Sequence, residues 1–152
     1  MAYRYRKKQK KRSEDPYKYV SRLLKYRLRS EKEIRDRLSQ RFPFDVVEEV
    51  VSKLKEKSII DDKRFAYMYA KDHLQIYRHG PKLIRAKLKA LGIDEDIIDE
   101  GIQAAWNEFD IEAFIKEISR KKNDLKEIKK FLYKRGFDTS ILDNVDIEID
   151  RR

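Results

Sequence analysis

One apolar register recurs three times along the chain, and this repeat constrains the fold more than any other feature. In each copy the register positions lie 4, 10, 14 and 18 residues after the first. The three sets are Val20, Leu24, Ser30, Ile34 and Leu38; Ala70, Leu74, Gly80, Ile84 and Leu88; and Phe114, Ile118, Asp124, Ile128 and Leu132. Because four-residue spacings place side chains on one helix face, each set predicts two amphipathic helices. Later apolar pairs predict a third helix: Val46–Val47, Ile97–Ile98 and Ile141–Leu142.

The middle member of each set predicts the N-cap of the second helix. Ser30 with Glu33 and Asp124 with Glu127 have the spacing of a capping box. In the second copy Gly80 is a tolerated cap, and Pro81 after it is the proline favoured in the first turn of a helix. At the other end of this helix, Gly92 and Gly136 predict left-handed C-caps, whereas the first copy has the shorter turn 41–43, without glycine.

The register predicts an all-α chain of three tandem three-helix repeats that form an elongated, curved array, with a basic N-terminal tail. We expect a flexible tail at 1–15 and repeats at 16–60, 61–109 and 110–152. The predicted helices lie near 16–28, 31–41, 44–57, 62–78, 81–91, 95–108, 110–122, 125–135 and 139–147. Because one such unit buries little apolar surface, stacking would complete each core through its neighbours.

Charge makes up much of this chain and is unevenly distributed. Charged residues are 43% of the sequence and the formal net charge is +10, which favours a polyanion or an acidic protein surface as partner. Seven of these charges come from the tail: Arg4, Arg6, Lys7, Lys8, Lys10, Lys11 and Arg12. Tyr3 and Tyr5 lie among them, a pattern suited to phosphates and exposed bases, although a solubilising tail would look similar.

The middle helices of the repeats are also basic. Candidate contact residues on them are Arg35, Lys82, Arg85, Lys89, Lys126, Lys129 and Lys130. An ordinary solvated helix face can carry similar charge, so these residues are candidates rather than a defined site.

The residues that could support catalysis or metal binding do not form a recognisable set. His73 and His79 are six positions apart on a predicted helix, so we expect them to point in different directions and share no metal. One of the adjacent residues Asp61 and Asp62 is expected to cap the next helix. With no cysteine present, thiolate chemistry is excluded. We therefore expect that the protein is not an enzyme and that it has no catalytic residue, metal or cofactor. Without an apolar membrane span or signal peptide, we expect a cytoplasmic protein with no membrane partner.

Three segments together resemble the RecX family of bacterial recombination regulators. They are Ser30-Glu31-Lys32-Glu33-Ile34 with Leu38; Ile60-Asp61-Asp62-Lys63-Arg64-Phe65-Ala66; and Gly80-Pro81-Lys82-Leu83-Ile84-Arg85-Ala86-Lys87-Leu88 with Gly92-Ile93. The resemblance covers roughly residues 17–106, and the repeat register extends it to about 147. The basic tail lies outside it.

The resemblance implies a fold of tandem three-helix repeats and binding in the deep groove of the RecA recombinase filament. It also implies modulation, usually inhibition, of strand exchange, ATP hydrolysis and co-protease activity. Single- or double-stranded DNA could bind the basic surfaces, and we expect a monomer. The alternative is a stand-alone DNA-binding protein of homeodomain-like helical repeats, in which the tail and the basic helices would bind DNA.

Overall fold

A computed structural model describes residues 14–145, which form eight α-helices and a closing 3₁₀ helix. The helices are α1 Pro16–Tyr26, α2 Glu31–Ser39, α3 Phe44–Glu56, α4 Asp62–Gln75, α5 Pro81–Ala90, α6 Glu95–Asn107, α7 Ile111–Lys121 and α8 Leu125–Lys134, and the 3₁₀ helix is Thr139–Asn144. The prediction of an all-α fold with three-helix repeats is confirmed. None of the helices between residues 14 and 145 combines the length and apolarity that a membrane span requires.

The apolar register of the sequence is the buried register of the structure. At the centre of the second helix of every repeat, six side chains have no solvent exposure: Ile34, Leu38, Ile84, Leu88, Ile128 and Leu132. The preceding helices contribute Val20, Ala70 and Phe114, which are also buried, whereas Leu24 is only half-buried. The periodicity therefore identified the core face of each helix correctly.

The predicted N-caps are present, with one difference in geometry. Ser30 and Glu33 form the complete capping box. Asp124 caps α8 by accepting a hydrogen bond from the backbone N–H of Lys126, two residues on rather than three. Asp61 caps α4 by accepting from the Arg64 N–H at 3.2 Å, as the sequence predicted. These side chains satisfy N–H groups that the first helical turn leaves without a partner.

The C-terminal turns explain why the first repeat can omit its glycine. Gly92 and Gly136 adopt left-handed φ values of 78° and 87°, as predicted. After them, the N–H of Ile93 bonds to the carbonyl of Leu88, five residues back, and the third repeat makes the same bond. In the first repeat the Phe42 N–H bonds to the Leu38 carbonyl at 2.8 Å, four residues back. This turn is one residue shorter and does not pass through the left-handed region.

The chain divides into two compact units after Ile60. The first unit, α1–α3, has its own core centred on Val20, Ile34 and Leu38. In the second unit one continuous core extends from Phe65 to Val145, so the second and third repeats share their buried side chains.

Within the second unit, α5 begins against the end of α8. The Gly80 N–H donates to the Arg135 carbonyl at 2.7 Å, and the Lys82 N–H donates to the Gly136 carbonyl at 3.0 Å. A Cβ atom on Gly80 would lie only 2.4 Å from the Gly136 carbonyl carbon. Gly80 has an ordinary φ of −86°, so this position needs glycine for close backbone approach rather than for conformation.

The closing element of the third repeat differs from the α-helix expected near 139–147. Residues Thr139–Asn144 form a 3₁₀ helix, and residues from 146 onward lie outside the described part of the chain. The Asp138 side chain accepts from the Ser140 N–H and holds a local turn at the start. Such side-chain bonds compete with helical ones, and a segment this short gains little from helix propagation.

Candidate contact surface

The tail residues Arg4, Arg6, Lys7, Lys8, Lys10, Lys11 and Arg12 lie outside the described residues. The other candidates lie on the second helix of each repeat, in the first unit and in the second unit separately. These helices are α2, α5 and α8, which carry the remaining seven candidates.

Three of the four candidate cations on α2 and α5 are paired with acids of the following helix. Arg35 contacts Glu48 on α3 and also Glu31 on its own helix. Arg85 contacts Asp99 on α6, and Lys89 lies 3.4 Å from Glu95. The pairing raises the pKa of Arg35, although burial of its guanidinium opposes this effect. Each of these cations therefore has an acidic neighbour that partly offsets its charge, although pairs as exposed as Arg85–Asp99 and Lys89–Glu95 hold it only weakly.

Lys82, at the start of α5, is exposed and close to the turn after α8. Hydrogen bonds from Ser140 lower the pKa of Asp138, and the positive charge of Lys82 lowers it further. Lys82 is thus electrostatically coupled to Asp138 without a direct ion pair between them.

The cations on α8 are different. Lys126, Lys129 and Lys130 are exposed and make no ion pair within residues 14–145. The closing 3₁₀ helix, unlike α3 and α6, supplies only one acidic residue, Asp143, and that residue is not paired with them. Within residues 14–145, the α8 lysines therefore lack the acidic neighbours that Arg35, Arg85 and Lys89 have.

An exposed tyrosine completes this face of α8. Tyr133 is 73% exposed and follows Lys129 by four residues and Lys130 by three. The spacing places these side chains on one face of the helix, opposite the buried Ile128 and Leu132. We call Lys126, Lys129, Lys130 and Tyr133 the α8 face. Tyr133 was not among the residues predicted from the sequence, although its spacing of three and four residues from the adjacent Lys130 and Lys129 is helical.

Further cations lie around a neighbouring ring of the same helix. Phe131 has the Lys122 ammonium 5.6 Å and the Arg135 guanidinium 5.1 Å from its ring centroid. Arg135 also donates to the Tyr77 carbonyl at 2.9 Å, so it is fixed in place. Lysines that pair with no carboxylate in residues 14–145 can bind phosphates. An exposed aromatic ring beside them can stack on a base or on a partner side chain.

The prediction that His73 and His79 point apart is wrong. Their Nδ1 atoms lie 3.0 Å apart in a hydrogen bond. Helix α4 ends at Gln75 instead of near residue 78, and Arg78 takes a left-handed φ of 56°. The chain turns back there, and the His79 N–H donates to the His73 carbonyl at 2.8 Å.

The histidine pair lies in an aromatic setting beside the Lys87 ammonium group. The His73 ring stacks on Tyr69 with centroids 3.9 Å apart. Burial and the nearby Lys87 ammonium lower the pKa of His73 to about 4 and also lower that of His79. The Lys87 Nζ atom lies 3.5 Å from His79 Nδ1, which favours His79 as the acceptor of the bond between the rings.

Neither the histidines nor the acidic residues assemble a metal site in the part of the chain described. Residues 14–145 contain no group of three or more histidine, aspartate or glutamate side chains placed to hold one ion. The two histidines use their facing nitrogens on each other, and Asp61 is occupied as a helix cap.

Repeated three-helix units with basic second helices define this molecule as a helical-repeat protein. Its residues 17–54 match the family model of the first three-helix domain of RecX, and residues 61–102 match that of the second. The chain belongs to the RecX family of regulatory proteins.

Relatives and solved structures agree with this assignment. The regulatory protein RecX of Thermotoga petrophila is 38% identical over 154 residues, which cover 97% of this chain and 96% of the relative. The regulatory protein RecX of Bacillus velezensis is 36% identical over 78% of this chain and 49% of its own length. The crystal structure of RecX from Lactobacillus salivarius has a TM-score of 0.72 and 28% identity, covering 84% of this chain and 90% of that one.

Proposed function

We propose that this protein binds the groove of the RecA–DNA filament and inhibits its strand-exchange, ATPase and co-protease activities. Membership in a regulatory family supports a role through binding. The observation that carries the proposal is the α8 face, because its lysines have no acidic partner within residues 14–145.

The contact residues belong to the same proposal. We assign the filament or DNA contact to the α8 face first, and to the tail cations second. Lys82 is the third contributor because it is exposed and lies beside the end of α8. Arg35, Arg85 and Lys89 contribute less, since each would have to leave a carboxylate before it could bind a partner.

The remaining features of the proposal concern the state of the protein. It acts as a monomer of three repeats in the cytoplasm, without a catalytic residue or cofactor. Its partners are the RecA filament and the DNA held in it. The described residues support the absence of catalysis in that their two histidines and the Asp61 carboxylate have structural roles.

A second function rests on the same face of α8. Three lysines with Tyr133 would also suit a protein that binds DNA by itself, with lysines on phosphates and the ring on a base. Such binding weakens steeply with salt, because each phosphate contact on single-stranded DNA contributes about −0.7 to the slope of log affinity against log salt.

The two functions separate in a titration onto preformed RecA–single-stranded DNA filaments, followed by ATP turnover and light scattering. The salt is first raised until the protein no longer binds bare single-stranded DNA. Continued inhibition of ATP turnover at that salt supports binding to the filament. Inhibition that disappears together with bare-DNA binding supports the stand-alone DNA-binding function instead.

A further inference from the structure

The turn that departs from the repeat pattern contributes one residue to a surface pocket of the first unit, and α1 contributes the others. Arg41 lies in the shortened turn after α2, and Arg22 and Tyr26 come from α1. With Tyr19, Leu23 and Lys25 these residues line a surface pocket of about 430 Å³.

Two arginines are held in place around one ring of this pocket. The Arg41 guanidinium lies 4.4 Å from the Tyr19 ring centroid, and that of Arg22 lies 5.8 Å from it. Tyr19 itself is only 6% exposed, so its ring is a fixed platform. Stacking on a buried ring restricts each guanidinium and prepares it to bind a planar anion.

This arginine pair already holds a carboxylate of the same chain. One oxygen of Glu14 contacts Arg22, and the other accepts a hydrogen bond from Arg41 Nη1 at 2.8 Å. Both arginine side chains remain more than half exposed, at 61% and 52%. Ion pairs this exposed are weak, so an incoming anion can displace Glu14.

The surroundings favour a single carboxylate over a nucleic-acid backbone. Binding a strand requires a row of available cations that follows successive phosphates. Beside the pocket, Arg27 is bound to Glu33, and the lining adds only Lys25 to the two arginines. The rest of the lining is Leu23 and the tyrosines, including Tyr26 at 86% exposure. An acidic side chain next to an apolar one fits this combination.

We infer that the Arg22–Arg41 pair is a receptor for an acidic side chain of a partner protein, and that Glu14 is its internal competitor. The inference rests on the proposed function only in choosing a protein as the source of the carboxylate. When the partner binds, its carboxylate replaces that of Glu14 between the guanidinium groups. Its neighbouring apolar side chain packs against Leu23 and Tyr26.

A test on the full chain uses the capped dipeptide N-acetyl-Leu-Glu-amide, with N-acetyl-Leu-Gln-amide and inorganic phosphate as comparison probes at constant ionic strength. Binding is followed by NMR on the guanidinium Nε signals of Arg22 and Arg41. Glu14→Gln should raise affinity for the glutamate probe about fivefold, because exposed ion pairs of this kind are worth up to about that factor. Arg22→Gln with Arg41→Gln should abolish the binding.

The matched control is Glu49→Gln, which removes the same charge from the exposed Lys53–Glu49 pair of the same unit. It should change the affinity by less than about twofold, since charges at the surface are screened. The inference is wrong if Glu14→Gln changes the affinity for the glutamate probe no more than Glu49→Gln does. It is also wrong if the glutamine probe binds as tightly as the glutamate probe. Phosphate binding tighter than the glutamate probe assigns the pair to nucleic acid instead. None of these results depends on RecA, so failure here is distinct from failure of the proposed function.

Discussion

Substitution of Gly80 by alanine tests the junction between the second and third repeats. The new Cβ would lie 2.4 Å from the Gly136 carbonyl carbon and 2.5 Å from the Phe137 nitrogen, distances that only backbone movement can relieve. That movement breaks the bonds from the Gly80 N–H to Arg135 and from the Lys82 N–H to Gly136.

The expected loss of stability follows from these contacts. Two hydrogen bonds contribute roughly 0.5–1.5 kcal/mol each. Forcing a methyl group into a packed interface costs about 1–3 kcal/mol more. We therefore expect Gly80→Ala to lower the free energy of unfolding by about 3 kcal/mol, which corresponds to roughly 6–12 °C in thermal midpoint for a chain of this size.

The assay uses the one tryptophan of the chain as a local probe. Trp106 lies in the second unit with its ring centroid 6.3 Å from that of Phe137, next to the junction. Urea and thermal unfolding followed by its fluorescence therefore report on the affected core. Gly92→Ala is the control, because its left-handed φ of 78° costs an alanine only about 1 kcal/mol. If Gly80→Ala is no more damaging than Gly92→Ala, the contact between α5 and α8 is not the constraint described here.

Three further predictions concern the core, the histidines and the tail. Ile84→Asp or Leu88→Asp should unfold the second unit, since a buried unpaired charge costs several kcal/mol; an unchanged midpoint by Trp106 fluorescence would show the register to be wrong. Stability should fall by about 1–2 kcal/mol as pH drops from 6.5 toward 4, because His73 takes up a proton in this range in the unfolded chain but not in the folded one. The fall is smaller than the full difference in pKa implies, because the His73 side chain is partly exposed to solvent. His73→Leu should flatten that dependence in urea titrations, and an identical pH profile for the variant would contradict it. Deleting residues 1–12 should reduce the salt slope of single-stranded DNA binding by about two to three and a half units if the tail makes three to five contacts; an unchanged slope would make the tail a solubiliser.

Features that depend on neighbouring residues could be predicted from the sequence. The buried faces follow from helical spacing, and the left-handed turns at Gly92 and Gly136 follow from the glycine that ends each helix. The capping box of Ser30 and Glu33 is equally local. Tyr133 could have been found by the same reasoning, because it shares a helical face with Lys129.

Features that depend on distant residues could not be predicted in this way. Gly80 is required by the close approach of Gly136, which is remote in sequence. The contact of His73 with His79 is local in sequence, but it escaped prediction because it needs Arg78 in a left-handed conformation, which residues other than glycine seldom take. Whether a cation is available to bind a partner likewise depends on acidic residues of another helix, remote in sequence.

Charge-matched variants test most directly whether the availability of a cation decides its contribution to binding. One variant replaces with glutamine three lysines of α8 that form no ion pair within residues 14–145: Lys126, Lys129 and Lys130. The control replaces three paired cations in the same way: Arg35, Arg85 and Lys89. Each variant lowers the net charge by three, so long-range attraction to the filament changes equally.

The measurement is the protein concentration that half-inhibits ATP turnover by preformed RecA–single-stranded DNA filaments, for variants whose thermal midpoints match the unsubstituted protein. We predict that the α8 variant needs at least about tenfold more protein for half-inhibition, and that the control changes this concentration far less. A tenfold change corresponds to a loss of roughly 1.4 kcal/mol of binding free energy, shared among three contacts. Equal shifts for the two variants, or a larger one for the control, would contradict the assignment of the α8 face as the contact surface.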